Sequence, residues 1–176
     1  MMMIKENKNN QRKKFKKKRI LLKKQNEENS RNLIKNLINL NEFKEYKIIA
    51  SFVSIKTEIS TKILNSYIIE QNKILCLPVI KNESTKLTFR KYDMKEDLIV
   101  GKYGVKEPNI SNEEILPQLI LTPCLAFDTI GYRLGYGGGY YDKTFSYFKM
   151  IEHKFISVAV AFDDQKIKKV IHDNND

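Results

Sequence analysis

The stretch Leu119-Ile-Leu-Thr-Pro-Cys-Leu-Ala-Phe-Asp-Thr-Ile-Gly-Tyr-Arg-Leu-Gly-Tyr-Gly-Gly-Gly-Tyr-Tyr-Asp142 passes from an apolar run through a glycine-rich loop into helical spacing. Leu119–Thr122 reads as a strand that ends at Pro123, and a helix is predicted from about Tyr140 to Phe148. Strand, loop and helix in that order make up half of a parallel βαβ unit, where ligands bind beyond the carboxyl ends of strands. Five of the chain's seven glycines lie between Gly131 and Gly139. In a regular element each costs about 0.5–1 kcal/mol relative to alanine, so the cluster implies φ > 0 or an approach closer than a Cβ permits. Arg133 stands at its entrance and Asp142 at its exit. That is the layout of a phosphate cradle with a metal ligand beside it.

Outward from this stretch, strands alternate with helices. Arg12–Leu40 is helical in pattern, with Phe15, Ile20, Leu21 and Leu22, then Leu33, Ile34, Leu37 and Ile38. The polar run Gln25–Ser30 divides it, with Ser30 as N-cap of the second helix. Lys47–Ser54 reads as a buried strand, Ser60–Gln71 as a helix with Ile63, Leu64, Tyr67 and Ile68 on one face, and Ile74–Ile80 as a strand. Pro78 marks that last strand as an edge or a strand end. Lys86–Tyr92 alternates as a half-exposed strand, Asp97–Pro108 is turn-rich and irregular, and Ile156–Phe162 is the final strand. This pattern predicts an α/β three-layer sandwich with a mostly parallel central sheet and helices on both faces.

Hydrophobic residues at 41% and charged residues at 30% of 176 describe a soluble, core-forming chain. No apolar run approaches the roughly 18–20 residues of a membrane span. Residues 1–10 lack the apolar stretch of a secretory signal, and the expected location is cytoplasmic. Cys76 and Cys124 sit in apolar stretches and read as reduced core residues, with a disulfide between them as the alternative. The net charge of +11 is localised: residues 1–24 hold eleven Lys/Arg against one acid, and the other 152 residues hold 21 against 20. The domain reading is therefore a basic segment, 1–24, leading into the first helix, and one α/β domain over 25–176. The segment reads either as an arm for polyanions or as a solvated lead-in.

The glycine loop lacks the Gly-Lys-Ser/Thr ending of a Walker A motif and the third glycine of the dinucleotide fingerprint. Unlike the kinase loop it opens a helix. Bare glycine N–H groups and the helix's positive end at Gly139–Tyr141 suit an anion, and Arg133 supplies a fork for phosphate oxygens. The competing reading is a tight surface loop with Asp142 favoured near a helix N-terminus.

The stretch Thr122-Pro-Cys-Leu-Ala-Phe-Asp…Gly131-Tyr-Arg-Leu-Gly-Tyr-Gly-Gly-Gly-Tyr-Tyr-Asp142 closely resembles the signature of the 5-formyltetrahydrofolate cyclo-ligase family. Ala50-Ser-Phe…Glu58-Ile-Ser-Thr, Ile74-Leu-Cys-Leu-Pro-Val, Gly101-Lys-Tyr-Gly-Val-Lys-Glu-Pro108 and Val158-Ala-Val-Ala-Phe…Gln165 resemble further family segments, so the likeness runs from about residue 30 to the end. The resemblance implies an ATP- and Mg²⁺-dependent enzyme that closes a ring in 5-formyltetrahydrofolate. The products would be 5,10-methenyltetrahydrofolate, ADP and phosphate, formed through phosphorylation of the formyl oxygen. It implies that Arg133, Leu134, Gly135, Tyr136, Gly137, Gly138, Gly139, Tyr140 and Tyr141 hold ATP. Arg133 and Tyr141 would be catalytic, Val53 and Glu58 would bind folate, and Asp142 would bind the metal.

The family's second metal aspartate falls eleven residues after Gln165, on Asp176, the final residue, and Ile171 stands where a proline is usual. On the first helix the family places a base and an arginine four residues apart against ATP. Arg12 and Lys16, with Phe15 between them, fit that spacing; Arg19 and Lys14 are rivals. The expected partners are a reduced folate and ATP, bound by a monomer without nucleic acid or membrane. The rival reading is a catalytically inactive fold whose basic arm binds RNA.

Overall fold

The computed structural model describes residues 2–22, 26–81 and 84–172. It begins with helices α1 (Met2–Leu22), α2 (Asn26–Ile38) and α3 (Asn41–Glu45), followed by strand β1 (Ile48–Ala50), helix α4 (Lys62–Glu70) and strand β2 (Ile74–Val79). Strands β3 (Thr88–Lys91), β4 (Ile99–Val100), β5 (Lys106–Glu107), β6 (Leu119–Pro123), β7 (Ala126–Phe127) and β8 (Arg133–Leu134) come next. Helix α5 (Tyr140–Met150) and strand β9 (Ile156–Val160) follow. Five strands form the central sheet in the order β3-β2-β1-β6-β9. The pairs β2–β1, β1–β6 and β6–β9 are parallel, and β3 runs antiparallel to β2.

Side chains alternate across a strand, so consecutive apolar residues feed both faces of the sheet. Ile49, Leu75, Leu77, Leu119 and Leu121 pack on one face against Leu37 of α2, Phe43 of α3 and Leu64 and Ile68 of α4. Ala50, Cys76, Phe89 and Ile120 pack on the other, where Phe148 of α5 closes the layer with Tyr141 and Phe145 beside it. The sandwich is the three-layer α/β arrangement that the apolar runs call for.

Several boundaries differ from the sequence reading for local reasons. Strand β1 stops at Ala50 rather than Ser54. Beyond Ser51, whose N–H still reaches the Cys76 carbonyl, hydroxyls replace the ladder. Thr61 Oγ1 donates to the Phe52 carbonyl at 2.6 Å, Thr61 N to Ser54 Oγ at 2.9 Å and Ser54 Oγ to the Ile59 carbonyl at 2.7 Å. Helix α2 begins at Asn26, so Ser30 lies inside it, buried, and is not its N-cap. On α4 the buried residues are Leu64, Asn65 and Ile68, while Ile63 faces solvent.

Pro78 marks a strand end and not an edge strand. It pairs with Phe89 of β3, and it lies past Cys76, the last β2 residue opposite β1, so its missing N–H breaks no bond there. Strand β3 buries Phe89 and Arg90 together, because residues 112–115 cover its outer side through Lys91 N–Glu113 O and Ile115 N–Phe89 O. Residues 97–108 contain the β4–β5 hairpin, and the glycine-rich loop opens as the β7–β8 hairpin. Cys76 and Cys124 are both free and buried, so no disulfide joins them. No described helix is long and apolar enough to cross a membrane.

Leu121 is 1% exposed at the centre of the sheet. Leu121→Ala is expected to lower unfolding free energy by about 2–5 kcal/mol, read as a lower urea midpoint at unchanged slope.

Candidate active site

The parallel strands β1, β2 and β6 end on one side of the molecule, and a cleft of about 350 Å³ lies beyond them. Its walls come from the loop after β1 (Phe52, Val53, Ile55, Glu58), the end of β2 (Pro78, Ile80) and the β4–β5 hairpin (Val105 to Glu107). The glycine loop (Arg133 to Asp142) and Lys8 and Arg12 of α1 complete it.

Helix α1 lies across these loops and is anchored by a single aromatic residue. Phe15 inserts among Leu125, Ala126, Leu134 and Val170 and is 5% exposed. Burial of such a side chain contributes about 1.5–3 kcal/mol. Polar contacts extend the seam. The Gln11 side-chain amide donates to the Lys169 carbonyl and accepts from Ile171 N, at 3.3 and 3.2 Å. Lys18 hydrogen-bonds the Asp164 carbonyl. Ile171, where the family resemblance expects proline, thus uses an N–H that proline would lack.

The glycine loop is shaped by its backbone. Asp128 Oδ1 accepts from Ile130 N and Tyr132 N, and its Oδ2 accepts from Val170 N, so one carboxylate closes the β7–β8 turn and ties down the backbone at Val170. Gly137 has φ of 106°, and a Cβ there would stand 3.3 Å from the Arg12 guanidinium carbon. Arg12 Nε reaches the Gly135 carbonyl at 3.0 Å, and its Nη1 reaches Asn9 Oδ1 at 2.8 Å. Gly139, at φ 67°, precedes α5, which has no side-chain cap. A helix start without such a cap is a geometry that suits an anion. Thr144 fixes α5 in place: its Oγ1 donates to the Tyr140 carbonyl and accepts from Leu87 N.

Arg133 and Asp142 meet directly, Nη2 to Oδ1 at 2.7 Å. The Arg133 guanidinium also lies 5.2 and 5.3 Å from the ring centres of Tyr141 and Phe145. Asp142 is the more exposed partner, with a side chain 40% accessible. Among the described residues no group of three or more His, Cys, Asp or Glu gathers to hold a metal. One exposed carboxylate at a helix start fits Mg²⁺ carried in on a phosphate, which takes few protein ligands and keeps water. Asp176 lies outside the described residues.

Glu58 is 6% exposed and hydrogen-bonded on both oxygens. Tyr136 Oη donates to Oε1 at 2.6 Å, and Ile55 N donates to Oε2 at 2.8 Å. Arg19 Nη1 lies 3.9 Å from Oε1. Burial pushes the Glu58 carboxyl above its ordinary range, and Tyr136, Ile55 and Arg19 offset this only in part. Burial likewise pushes the Tyr136 and Tyr141 hydroxyls up.

The structure thus gathers Val53, Glu58, Arg12, Arg133, Gly135, Tyr136, Gly137, Gly138, Gly139, Tyr140, Tyr141 and Asp142 around one cleft. Leu134 also lines this cleft, with its side chain buried against Phe15. Tyr136, expected at the nucleotide, has its hydroxyl on Glu58. Lys16 is an exposed residue beside the Tyr136 ring, 6.0 Å from its centre, and does not line the cleft. Lys8, four residues before Arg12, lines it instead. Lys8, Arg12, Phe15 and Arg19 recur at helical spacing, so the apolar anchor Phe15 was the signal for that inward face. Tyr103, whose hydroxyl lies 3.1 Å from that of Tyr140, lies in the Gly101–Pro108 segment that resembles the family, but no site role was expected of it.

A glycine cradle, an uncapped helix start, an arginine fork and a buried carboxylate beyond parallel strands give an α/β protein a cleft whose chemistry suits an anionic ligand beside a second polar one. Comparison narrows this class. The model of the 5-formyltetrahydrofolate cyclo-ligase family matches residues 4–176, and the chain belongs to that family and is an enzyme of its class. It is 34% identical over 146 residues to 5-formyltetrahydrofolate cyclo-ligase of Haemophilus influenzae, covering 80% of this chain and 76% of the relative. With the Escherichia coli K12 enzyme of that name it shares 32% identity over 127 residues, 69% of each chain. The solution structure of 5,10-methenyltetrahydrofolate synthetase from Aquifex aeolicus superposes with TM-score 0.75 at 32% identity. The match covers 94% of this chain and 83% of that one.

A carboxyl whose folded pKa is raised binds its proton more tightly folded than unfolded. Its stabilising contribution is present at acid pH and is lost as pH rises through the folded value. The melting temperature of the wild type minus that of Glu58→Gln is therefore expected to fall as pH rises from about 4 to about 7. Scanning calorimetry across that range measures it.

Proposed function

We propose that the protein uses ATP and Mg²⁺ to convert 5-formyltetrahydrofolate into 5,10-methenyltetrahydrofolate, ADP and phosphate. The observation that carries this reading is the meeting of the glycine cradle, Arg133 and Asp142 with the Glu58–Tyr136 pair in one cleft of a chain of this family. The formyl oxygen is a poor leaving group. It therefore attacks the terminal phosphorus of ATP, and the bond to ADP breaks. The neighbouring folate nitrogen then attacks the activated carbon and gives up its proton, and the carbon–oxygen bond breaks to release phosphate. The protein's work is positioning and charge stabilisation.

In this reading Gly135–Gly139 and the start of α5 hold the phosphates through backbone N–H groups. Arg12 covers them from α1, with Lys8 in place of Lys16 as its basic partner. The basic segment 1–24 then forms the nucleotide side of the catalytic domain 25–176. Arg133 turns its fork to the transferred phosphoryl group, and the Tyr141 ring packs beneath it. Asp142, with Asp176, would hold Mg²⁺, which neutralises phosphate charge when bound. Glu58 accepts hydrogen bonds from folate N–H groups, Val53 lines that pocket, and Tyr140 with Tyr103 flanks the flat ring at the rim. The inward basic residues of α1 are engaged with the protein body, which favours this reading over an RNA-binding arm.

The direct test mixes purified protein with 5-formyltetrahydrofolate and Mg·ATP and follows the near-ultraviolet absorbance of the methenyl product. Product that requires ATP is expected, and its absence from folded protein overturns the reading. Asp142→Asn is expected to lower kcat/KM about 100-fold or more. Wild-type turnover in that variant removes Asp142 from the metal assignment.

A further inference from the structure

Arg19 is the most deeply buried cation among the described residues, at 2% exposure, and it touches neither the cradle's phosphate-facing backbone nor solvent. Its Nε donates to Thr57 Oγ1 at 2.9 Å, in the loop after β1, and its Nη1 donates to the Cys124 carbonyl at 3.3 Å, where β6 ends. The guanidinium lies 5.2 Å from the centre of the Tyr136 ring and 3.9 Å from Glu58 Oε1. One planar fork thus meets two walls of the cleft, the loop after β1 at Thr57 and Glu58 and the chain that follows β6 at Cys124 and Tyr136. Gln165 secures the same carbonyl from below, donating to Cys124 O at 2.9 Å and Leu125 O at 3.0 Å. A buried guanidinium is costly to desolvate, so this placement calls for a counter-charge and rigid acceptors.

We propose that Arg19 is a positioning residue for folate binding: it fixes the Glu58 carboxylate and the Tyr136 ring in the orientation that receives the substrate, and links helix α1 to that carboxylate. The proposal rests on the reading that Glu58 contacts the folate. Arginine suits the task because its fork serves Thr57 and Cys124 while its face covers Tyr136, which a lysine ammonium cannot do at once.

The titratable groups near Glu58 include Arg19 from α1 and Tyr136 from the glycine loop, which act on its carboxyl, and Cys124 after β6 and Tyr141 from α5, on which Glu58 acts. Burial keeps the tyrosine hydroxyls and the thiol neutral, with Cys124 pushed up to about 12. Arg19 brings a positive charge to within 3.9 Å of the carboxylate. Without it the carboxylate is harder to ionise, so folate binding should need a higher pH.

The test measures 5-formyltetrahydrofolate and Mg·ATP binding by calorimetry across pH for Arg19→Gln, Arg19→Lys, Glu58→Gln and the double variant Arg19→Gln/Glu58→Gln. Arg19→Gln should weaken folate binding about tenfold or more, move its acid limb to higher pH and leave ATP affinity within about threefold. The double variant should bind folate no more weakly than Glu58→Gln alone, which exposes the coupling. Arg19→Lys keeps the charge and guards against a folding failure of the glutamine variant. It should leave the acid limb near the wild-type position while still losing affinity. Additive losses in the double variant, or equal losses for folate and ATP with an unmoved acid limb, would make Arg19 a merely structural residue. If Glu58→Gln itself binds folate normally, the Glu58 reading fails and takes the proposal with it. If Glu58→Gln is weak and Arg19→Gln is normal, the proposal fails alone.

Discussion

The docking of α1 across the ends of the parallel strands is the constraint on which the site depends. Parallel strands release the chain in loops whose backbone groups lack sheet partners, and here a helix covers those loops and satisfies them. Phe15 supplies the apolar hold, and residues one turn away on either side carry the polar contacts: Arg12 to Gly135, Gln11 to residues 169 and 171, Lys18 to Asp164 and Arg19 to Thr57 and Cys124. Each polar contact lies near the apolar anchor, so its geometry is fixed more firmly than an exposed charge pair would be. The cleft is a product of this seam as much as of the sheet.

The second organising device is the use of side chains where the regular ladders stop. Thr61 and Ser54 close the loop after β1, Asp128 closes the turn before Arg133, and Gln165 fills the space under Cys124. All four lie outside the main sheet and helices, and Thr61, Asp128 and Gln165 are buried. They convert loops into rigid supports, which a site relying on hydrogen-bond geometry needs. Glu58 is held this way too, at the cost of a carboxylate kept from water.

Much of this was legible in the sequence, unevenly. The runs Lys47–Ser54, Ile74–Ile80 and Leu119–Thr122 identify inner parallel strands because a sheet covered on two faces needs apolar residues on both, and Ile156–Phe162 identifies the parallel edge strand β9, whose Ser157 and Ala159 are exposed. The glycine cluster marks the cradle because φ near 106° at Gly137 excludes most side chains. What escaped were contacts decided by tertiary packing. Lys8 and Lys16 stand equally four residues from Arg12, and only the inward turn of Phe15 separates them. The hairpins at residues 99–107 and 126–134 are two residues per strand, too short for any period to register. The burial of Arg19 is invisible to composition, which counts it with the solvated lysines around it.

The contact between Arg133 and Asp142 has a consequence for how the cleft meets a polyanion. In this structure the two charges cancel each other, so the cradle presents neither a bare carboxylate to repel phosphate nor an unpartnered guanidinium to attract it. In the proposed reading, a nucleotide arriving with its cation would exchange counter-ions: the fork would trade a carboxylate for phosphate oxygens, and the carboxylate would trade the fork for the metal. Both groups would end as they began, neutralised. Discrimination in such an exchange would fall on the pair arriving together, since phosphate without its cation would leave Asp142 uncompensated, and a cation without phosphate would leave Arg133 so.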